Sequence, residues 1–155
     1  MNKLLSTFRS PFKLRLYFLK KLPSLFFWKI KVEEIDNNKA KISIPYCWRT
    51  QNPFKSIYFS ALAGAAELST GLLALLAVEK ANVSMLVVGV KGKFTKKANT
   101  KTYFICEQGQ DIQDTVKRAI ETGEGQTVNI LSKGFNENDE LVAEFEFTWS
   151  FKKRS

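Results

Sequence analysis

The chain has 155 residues, 45% of them hydrophobic, with a formal net charge of +9 and a pI near 9.6. This length fits one domain with a real core, and the charge suits an anionic partner: nucleic acid, an acidic membrane surface or a phosphate-bearing small ligand. The sequence contains no histidine, which excludes Ser-His-Asp triads, Cys-His pairs and histidine-ligated metals. Any general base must therefore be a carboxylate, a lysine, a tyrosine or a cysteine.

The cysteines and the N-terminal segment bear on the compartment. Cys47 and Cys106 lie 59 residues apart (106 − 47 = 59), without the paired spacing of a zinc site or a redox motif. We predict two buried thiols in a reducing cytoplasm and no metal site. Basic residues interrupt the apolar positions of residues 1–30, so this segment lacks the apolar core of a signal peptide.

A short amphipathic helix is predicted near the N-terminus, beginning at Ser10-Pro11 and ending at Pro23. Its apolar residues recur at roughly helical spacing: Phe12, Leu16, Leu19 and Leu22. We predict a helical extension over residues 1–27 and a single domain over residues 28–155. The basic residues of this helix could contact anionic lipid headgroups, which predicts peripheral membrane contact; the alternative is a helix packed on the domain with a solvated basic face.

Two runs with apolar residues at every second position follow the extension, and a turn over residues 36–38 separates them. Their apolar positions are Trp28, Ile30, Val32, Ala40, Ile42 and Ile44. The two runs predict an antiparallel hairpin.

A long helix rich in Ala and Leu is predicted over residues 58–78, after Asn52-Pro53 interrupts the strand pattern. Glu67 lies near its centre. A carboxylate in the middle of a lipid-exposed helix is costly, so the pattern favours a buried core helix over a membrane span.

The C-terminal half predicts more strands and one connecting helix. Residues 85–97 and 100–108 predict a second hairpin, and a short helix that ends at Gly123 follows. Residues 128–135 predict a fifth strand, and the strict alternation of residues 141–151 predicts a sixth. This order predicts an α+β fold in which an antiparallel sheet wraps around the long central helix.

Glu67 lies on a stripe of small residues on the predicted helix. At about 100° per residue, the stripe contains Ser60, Ala63, Gly64, Glu67, Thr70, Gly71 and Ala74. Small neighbours leave space for a ligand, a second subunit or both. Burial would raise the pKa of the carboxyl, which suits a general base near neutral pH; the alternative is a structural ion pair.

Residues 52–71, NPFKSIYFSALAGAAELSTG, resemble the signature of small hotdog-fold acyl-CoA thioesterases of the phenylacetate-pathway type. In that family an Asn, a His-Gly-Gly turn six residues later and an acidic residue on the next helix form the site. Asn52 matches the Asn, Tyr58-Phe59-Ser60 takes the place of the turn (58 − 52 = 6), and Glu67 matches the acidic residue (67 − 58 = 9). The turn contains neither His nor Gly, which indicates an uncharacterised branch of the superfamily, a domain of unknown function.

The resemblance implies thioester hydrolysis with named roles. Glu67 would activate water or attack the carbonyl, and Asn52 would orient the water or the substrate. Backbone N–H groups of Phe59 and Ser60 would polarise the carbonyl at the helix N-terminus. Thr70 would hydrogen-bond Glu67 or the water, or instead bond back to its own helix.

The resemblance also implies the ligand and the assembly. The ligand would be an acyl-CoA or an acyl lipid, with coenzyme A as part of the substrate and no separate cofactor. The site would lie between the subunits of a homodimer, and dimers could pair into tetramers. Substrate contacts are expected from Tyr58, Gly64, Gly71, Lys91 and Lys93. Lys91 and Lys93 belong to a cluster on the second hairpin, with Lys96, Lys97 and Lys101, that could hold the coenzyme A phosphates or could simply protect a solvated sheet edge.

Other functions remain open at this point. A non-catalytic acyl- or lipid-binding protein would keep the apolar interior and lose the turn. A hotdog dehydratase is a further alternative, but the sites of that class are built on a histidine, and this chain has none. Nucleic acid is not an expected partner, because the aromatic residues fall mainly at alternating strand positions and form no exposed stacking surface.

Overall fold

The computed structural model describes residues 3–154. Its elements are α1 (Lys3–Arg9), α2 (Pro11–Lys21), α3 (Pro23–Phe27), β1 (Lys31–Ile35), β2 (Ala40–Ile44), α4 (Phe59–Val78), β3 (Val83–Phe94), β4 (Thr102–Cys106), α5 (Gly109–Thr122), β5 (Gln126–Phe135) and β6 (Leu141–Lys153). The strands form one antiparallel sheet in the order β1-β2-β4-β5-β6-β3.

The sheet wraps around α4, which is apolar over most of its circumference and largely buried. By length and composition alone α4 could span a membrane, but 67% of its most apolar window is buried within the fold. This burial is the behaviour of a core helix. The predicted α+β hotdog architecture is confirmed.

Several predicted elements agree closely with the structure. The alternation in β6 places Phe145, Phe147, Trp149 and Phe151 in the core. β1 pairs with β2 as a hairpin. α5 ends at Gly123, whose φ of 74° is the left-handed conformation that glycine adopts freely.

The predicted second hairpin is wrong. β3 pairs with β6 at the sheet edge, whereas β4 lies between β2 and β5. The connection between β3 and β4 is therefore a crossover, in which Ala98 is buried and its carbonyl accepts a 2.8 Å hydrogen bond from the Ile57 amide, near the start of α4. Alternation of apolar residues indicates which face of a strand is buried, but it does not indicate which other strand pairs with it.

The predicted strand start at Trp28 is also wrong, and the extension contains three helices where one was expected. Pro23 ends α2 but also begins α3, as proline does at a first helical position. α3 closes with Lys29 at a left-handed φ of 56°, while the Ile30 amide donates to the Leu25 carbonyl at 3.1 Å. The strand begins only at Lys31, because the Trp28 ring packs on α4.

Candidate active site

Glu67 is half-buried near the middle of α4. Within residues 3–154, its carboxylate forms no hydrogen bond or ion pair with another residue. Burial away from water raises the pKa of Glu67 above its usual range. The structure therefore does not support the alternative of a structural ion pair, and it leaves a carboxyl without a partner among the described residues.

Gly71 and Trp149 border the Glu67 carboxyl. A Cβ added at Gly71 would lie 2.9 Å from Glu67 Oε1 and 3.5 Å from Trp149 Cζ2. The buried Thr70 hydroxyl donates to the Glu67 backbone carbonyl at 2.9 Å and accepts from Trp149 Nε1 at 3.0 Å. Thr70 therefore bonds back to its own helix and fixes the indole, and its hydroxyl makes no hydrogen bond to the Glu67 carboxylate.

The N-terminal extension covers part of the small-residue stripe on α4. A Cβ at Gly64 would lie 2.9 Å from Trp28 Cζ3 and 3.5 Å from Leu25 Cδ2, so the chain's own residues fill the space beside Gly64. Tyr17 of α2 lies within the electrostatic field of Glu67: burial, and then the Glu67 charge, raise the pKa of the Tyr17 hydroxyl. Sequence reasoning missed Tyr17 and Trp28; the one available signal was a tyrosine on the inward face of α2.

The N-terminus of α4 presents unpaired amides. Tyr58 precedes the helix in an extended conformation, and its side chain makes no capping hydrogen bond. The N–H groups of Phe59 and Ser60 donate to no described residue, as expected for the first turn of an uncapped helix. The Tyr58 and Phe59 rings contact edge to face with centroids 5.2 Å apart, and Phe59 is 57% exposed. These amides could bind an oxygen that becomes negative.

Asn52 organises the loop before α4. Its Oδ1 accepts hydrogen bonds from the Phe54 amide at 3.0 Å, from the Ser56 amide at 3.2 Å and from the Ser56 hydroxyl at 3.2 Å. Its Nδ2 donates to no described residue, and it is the part of Asn52 available to a substrate.

A groove of about 400 Å³ brings several of these residues together. Among the residues that line it are Asn52, Phe59, Leu62, Phe94, Lys96 and Lys97. Lys91 and Lys93 do not line it. They lie along β3 opposite Glu146 and Glu144, and Lys91 Nζ is 3.0 Å from Glu146 Oε1. Of the lysine cluster, the two members at the groove are thus Lys96 and Lys97.

The fold defines a hotdog-fold protein, in which an antiparallel sheet wraps around a long central helix. Residues 14–151 match the family model described as "Domain of unknown function (DUF4442)", and the chain belongs to that family. No curated protein matches the sequence.

Solved structures support the same fold. A Pseudomonas aeruginosa protein of unknown function, named a "Probable Thioesterase", is similar with a TM-score of 0.80 and 19% identity, covering 94% of this chain and 97% of that chain. A Chlorobaculum tepidum protein of unknown function gives a TM-score of 0.78 with 13% identity over 96% and 99% of the two chains. A Haemophilus influenzae thioesterase gives 0.70 with 13% identity over 93% and 91%.

Proposed function

We propose that this protein hydrolyses acyl thioesters, such as acyl-CoA, with Glu67 as the catalytic carboxylate. The observation that carries the proposal is a half-buried carboxyl without a partner among residues 3–154, on the central helix of a fold shared with thioesterases. Without a function, such a group would only destabilise the core.

The proposed chemistry uses few groups. Glu67 takes a proton from water as the water oxygen attacks the thioester carbonyl; the C–S bond then breaks, and the leaving thiolate takes up that proton. Alternatively the carboxylate attacks the carbonyl, the thiolate leaves, and water hydrolyses the resulting anhydride. The raised pKa of Glu67 suits proton transfer near neutral pH. The free amides of Phe59 and Ser60 would stabilise the oxyanion, with the α4 dipole in support. The Nδ2 group of Asn52 would orient the water or the substrate.

Distances along α4 support a site shared between two subunits. Glu67 and Ser60 are seven residues apart (67 − 60 = 7), which is about 10 Å along a helix at ~1.5 Å per residue. Oxyanion donors must lie about 3 Å from the reacting oxygen. The backbone positions of the carboxylate and of the amides in one chain are thus well separated, and a partner subunit could bring its helix N-terminus to Glu67.

The sheet edge supports the homodimer. β3 is an edge strand of 12 residues, and it exposes four large apolar side chains: Leu86, Val88, Val90 and Phe94. A long apolar edge invites pairing with another chain. We propose a homodimer through this edge, which light scattering would detect, together with any pairing of dimers into tetramers.

The proposed substrate binds in the groove beside Asn52 and Phe59, where Lys96 and Lys97 could contact the coenzyme A phosphates. We place the protein in the cytoplasm, where acyl-CoA is available. Cys106 suits a reducing compartment as an inert thiol, since burial raises its pKa to about 11.

The test is the release of free thiol from short, long and aromatic acyl-CoA substrates. The wild type should hydrolyse at least one of them, and Glu67→Gln and Glu67→Ala should lose that activity while remaining folded by circular dichroism. Glu121→Gln, on the exposed surface of α5, is the matched control and should keep full activity. Hydrolysis that survives Glu67→Ala would reject the proposed role.

One observation favours a second function, a non-catalytic acyl- or lipid-binding protein. Phe59 and Ser60 stand in place of the two glycines, and the bulky Phe59 restricts close approach of a carbonyl to the backbone. Fatty acid or acyl-CoA that copurifies, as detected by mass spectrometry, together with no turnover of any substrate, would favour this function over the enzyme.

A further inference from the structure

The outward face of α2 is apolar and exposed. Phe12, Leu16 and Leu19 are 73%, 44% and 52% exposed, and their spacing places them on one stripe of the helix. On the opposite side, Leu14 and Phe18 are buried in the core and hold α2 to the fold. A helix that is anchored by one face and presents a second apolar face to solvent has an outer surface suited to contact with another apolar phase.

Basic residues flank this stripe on both sides. At about 100° per residue, Arg15 lies on one side, and Lys13 and Lys20 lie on the other. Residues 1–32 contain no Asp or Glu and eight of the chain's 24 Lys and Arg residues: Lys3, Arg9, Lys13, Arg15, Lys20, Lys21, Lys29 and Lys31. An apolar stripe between cations is typical of a helix that lies in the plane of an anionic membrane surface.

A basic cleft of about 340 Å³ opens beside the Arg15 flank of α2. Arg15, Lys29, Lys31 and Arg49 line it, and none of the four forms a salt bridge with a described residue. Aromatic and aliphatic side chains complete the lining: Phe18, Phe26 and Ile30. The Lys31 charge interacts with the Glu33 carboxylate, and the other three cations have no acidic partner in a salt bridge among the described residues. Arginine and lysine are the residues that bind phosphate.

Exposed aromatic side chains continue the surface beyond the cleft. The Arg49 guanidinium lies over the Phe27 ring, 5.4 Å from its centroid, and the Phe27 and Trp48 rings contact edge to face at 6.3 Å. Both rings are exposed, Trp48 strongly so. Tryptophan next to arginine at an exposed position is typical of the headgroup level of a bilayer.

We propose that the α2 stripe, the basic cleft and the Phe27–Trp48 pair form one docking surface for a bilayer that contains anionic phospholipid. A lipid phosphate binds in the cleft, while Phe12, Leu16 and Leu19 enter the boundary of the acyl chains. Tyr17 of the same helix packs against the core and interacts electrostatically with Glu67, so the candidate carboxyl lies on the inward side of α2, away from the docked face. The docking does not depend on thioester hydrolysis.

Flotation of the full-length chain with lipid vesicles tests the proposal. The protein should float with vesicles of equimolar phosphatidylglycerol and phosphatidylcholine, should not float with phosphatidylcholine alone, and should dissociate at high salt. Arg15→Gln and Lys31→Gln should each weaken binding about fivefold, as expected for one cation near an anionic surface. Phe12→Ser with Leu19→Ser should also release the protein. Lys133→Gln and Lys152→Gln, exposed on β5 and β6, each remove one charge; they are the charge-matched controls, and each should bind normally.

Four results would overturn the proposal. The first is equal loss of vesicle binding in the cleft variants and in the controls, which would show that net charge alone explains the binding. The second is equal flotation with neutral vesicles. The third is saturable binding of inorganic phosphate in the cleft without any flotation, which would show that the cleft is a site for a free anion. The fourth is conversion of a dimer to a monomer by Phe12→Ser with Leu19→Ser, which would assign the stripe to a second copy of the chain.

Discussion

The carboxyl oxygen Oε1 of Glu67 lies only 2.9 Å from the position that a Cβ at Gly71 would occupy, one turn further along α4. Glycine therefore leaves the space that the carboxyl fills. The neighbouring atom is the end of a flexible side chain, so a methyl group at residue 71 would displace the carboxyl and leave the backbone in place.

Gly71→Ala should separate activity from stability. Alanine favours a helix interior by about 0.5–1 kcal/mol over glycine, so the free energy of unfolding should stay level or rise. Thioester hydrolysis should fall at least tenfold, because a small displacement of a catalytic group is costly. Chemical denaturation and thiol release measure the two effects. Gly125→Ala, where an added Cβ meets no atom within 4 Å, is the control and should leave activity unchanged. Full activity in Gly71→Ala would show that the carboxyl position seen here is not the working one.

Glu67→Gln should change how stability depends on pH. Folding raises the pKa of Glu67, so its protonated form is tolerated in the fold and its ionised form is penalised. The wild type should match the variant near pH 4, close to the unfolded carboxyl pKa of about 4.3, and become the less stable of the two as pH rises through the folded pKa. Denaturant titrations at several pH values measure the difference. A difference that is independent of pH would mean that burial does not perturb this carboxyl.

Phe59→Pro tests whether the N–H of Phe59 acts as an oxyanion donor. Tyr58 has φ −61° and ψ 136°, an extended conformation that accepts a following proline, so the change removes the Phe59 N–H without breaking α4. Loss of one oxyanion donor should lower kcat about a hundredfold or more, whereas Phe59→Ala, which keeps the N–H, should lower it less.

Mixed dimers test whether each site is shared between two subunits. When Phe59→Pro chains are unfolded and refolded together with Glu67→Gln chains, one site in each mixed dimer combines an intact carboxylate with an intact helix N-terminus. Activity should then exceed that of either variant alone. If refolding restores nothing while light scattering confirms mixed dimers, each site belongs to one chain.

Substitutions in the lysine cluster should divide into two groups by their effect on KM for acyl-CoA. Lys96→Gln with Lys97→Gln should raise KM for acyl-CoA severalfold, because both residues line the groove beside Asn52. Lys91→Gln with Lys93→Gln should leave KM nearly unchanged, because neither residue lines the groove. Steady-state kinetics with acyl-CoA and with an acyl thioester that lacks phosphate would compare them. The reverse pattern would move the phosphate contacts to the sheet edge.

Much of the fold could be predicted because its elements have strong periods and clear ends. The Ala and Leu run of α4, the six alternating apolar residues of β6 and Gly123 at the end of α5 all act through local backbone and burial preferences. The partner of β3 could not be predicted, because alternation indicates which face is buried, whereas pairing depends on a distant part of the chain, here β6.

The candidate site was predictable only in part. Glu67 could be identified from the sequence as one acidic residue in an apolar helix. The residues that surround it could not be predicted. Tyr17 and Trp28 approach α4 from a segment that lies some forty to fifty residues earlier in the sequence, where alternation indicated a strand at Trp28. Packing of the indole against Gly64 outweighed that local pattern.

Lys29→Gly should stabilise the fold and weaken membrane binding at once. Lys29 adopts φ 56°, a left-handed conformation that costs a residue with a side chain about 1 kcal/mol more than glycine, so the free energy of unfolding should rise by about that amount. The same change removes a cation from the basic cleft, so affinity for vesicles with phosphatidylglycerol should fall about fivefold.

Lys55→Gly is the matched control, because Lys55 has φ 60° and the same charge but does not line the cleft. It should gain stability and keep its vesicle affinity. Equal affinity loss in both variants would show that total charge, and not the cleft, holds the protein at the membrane.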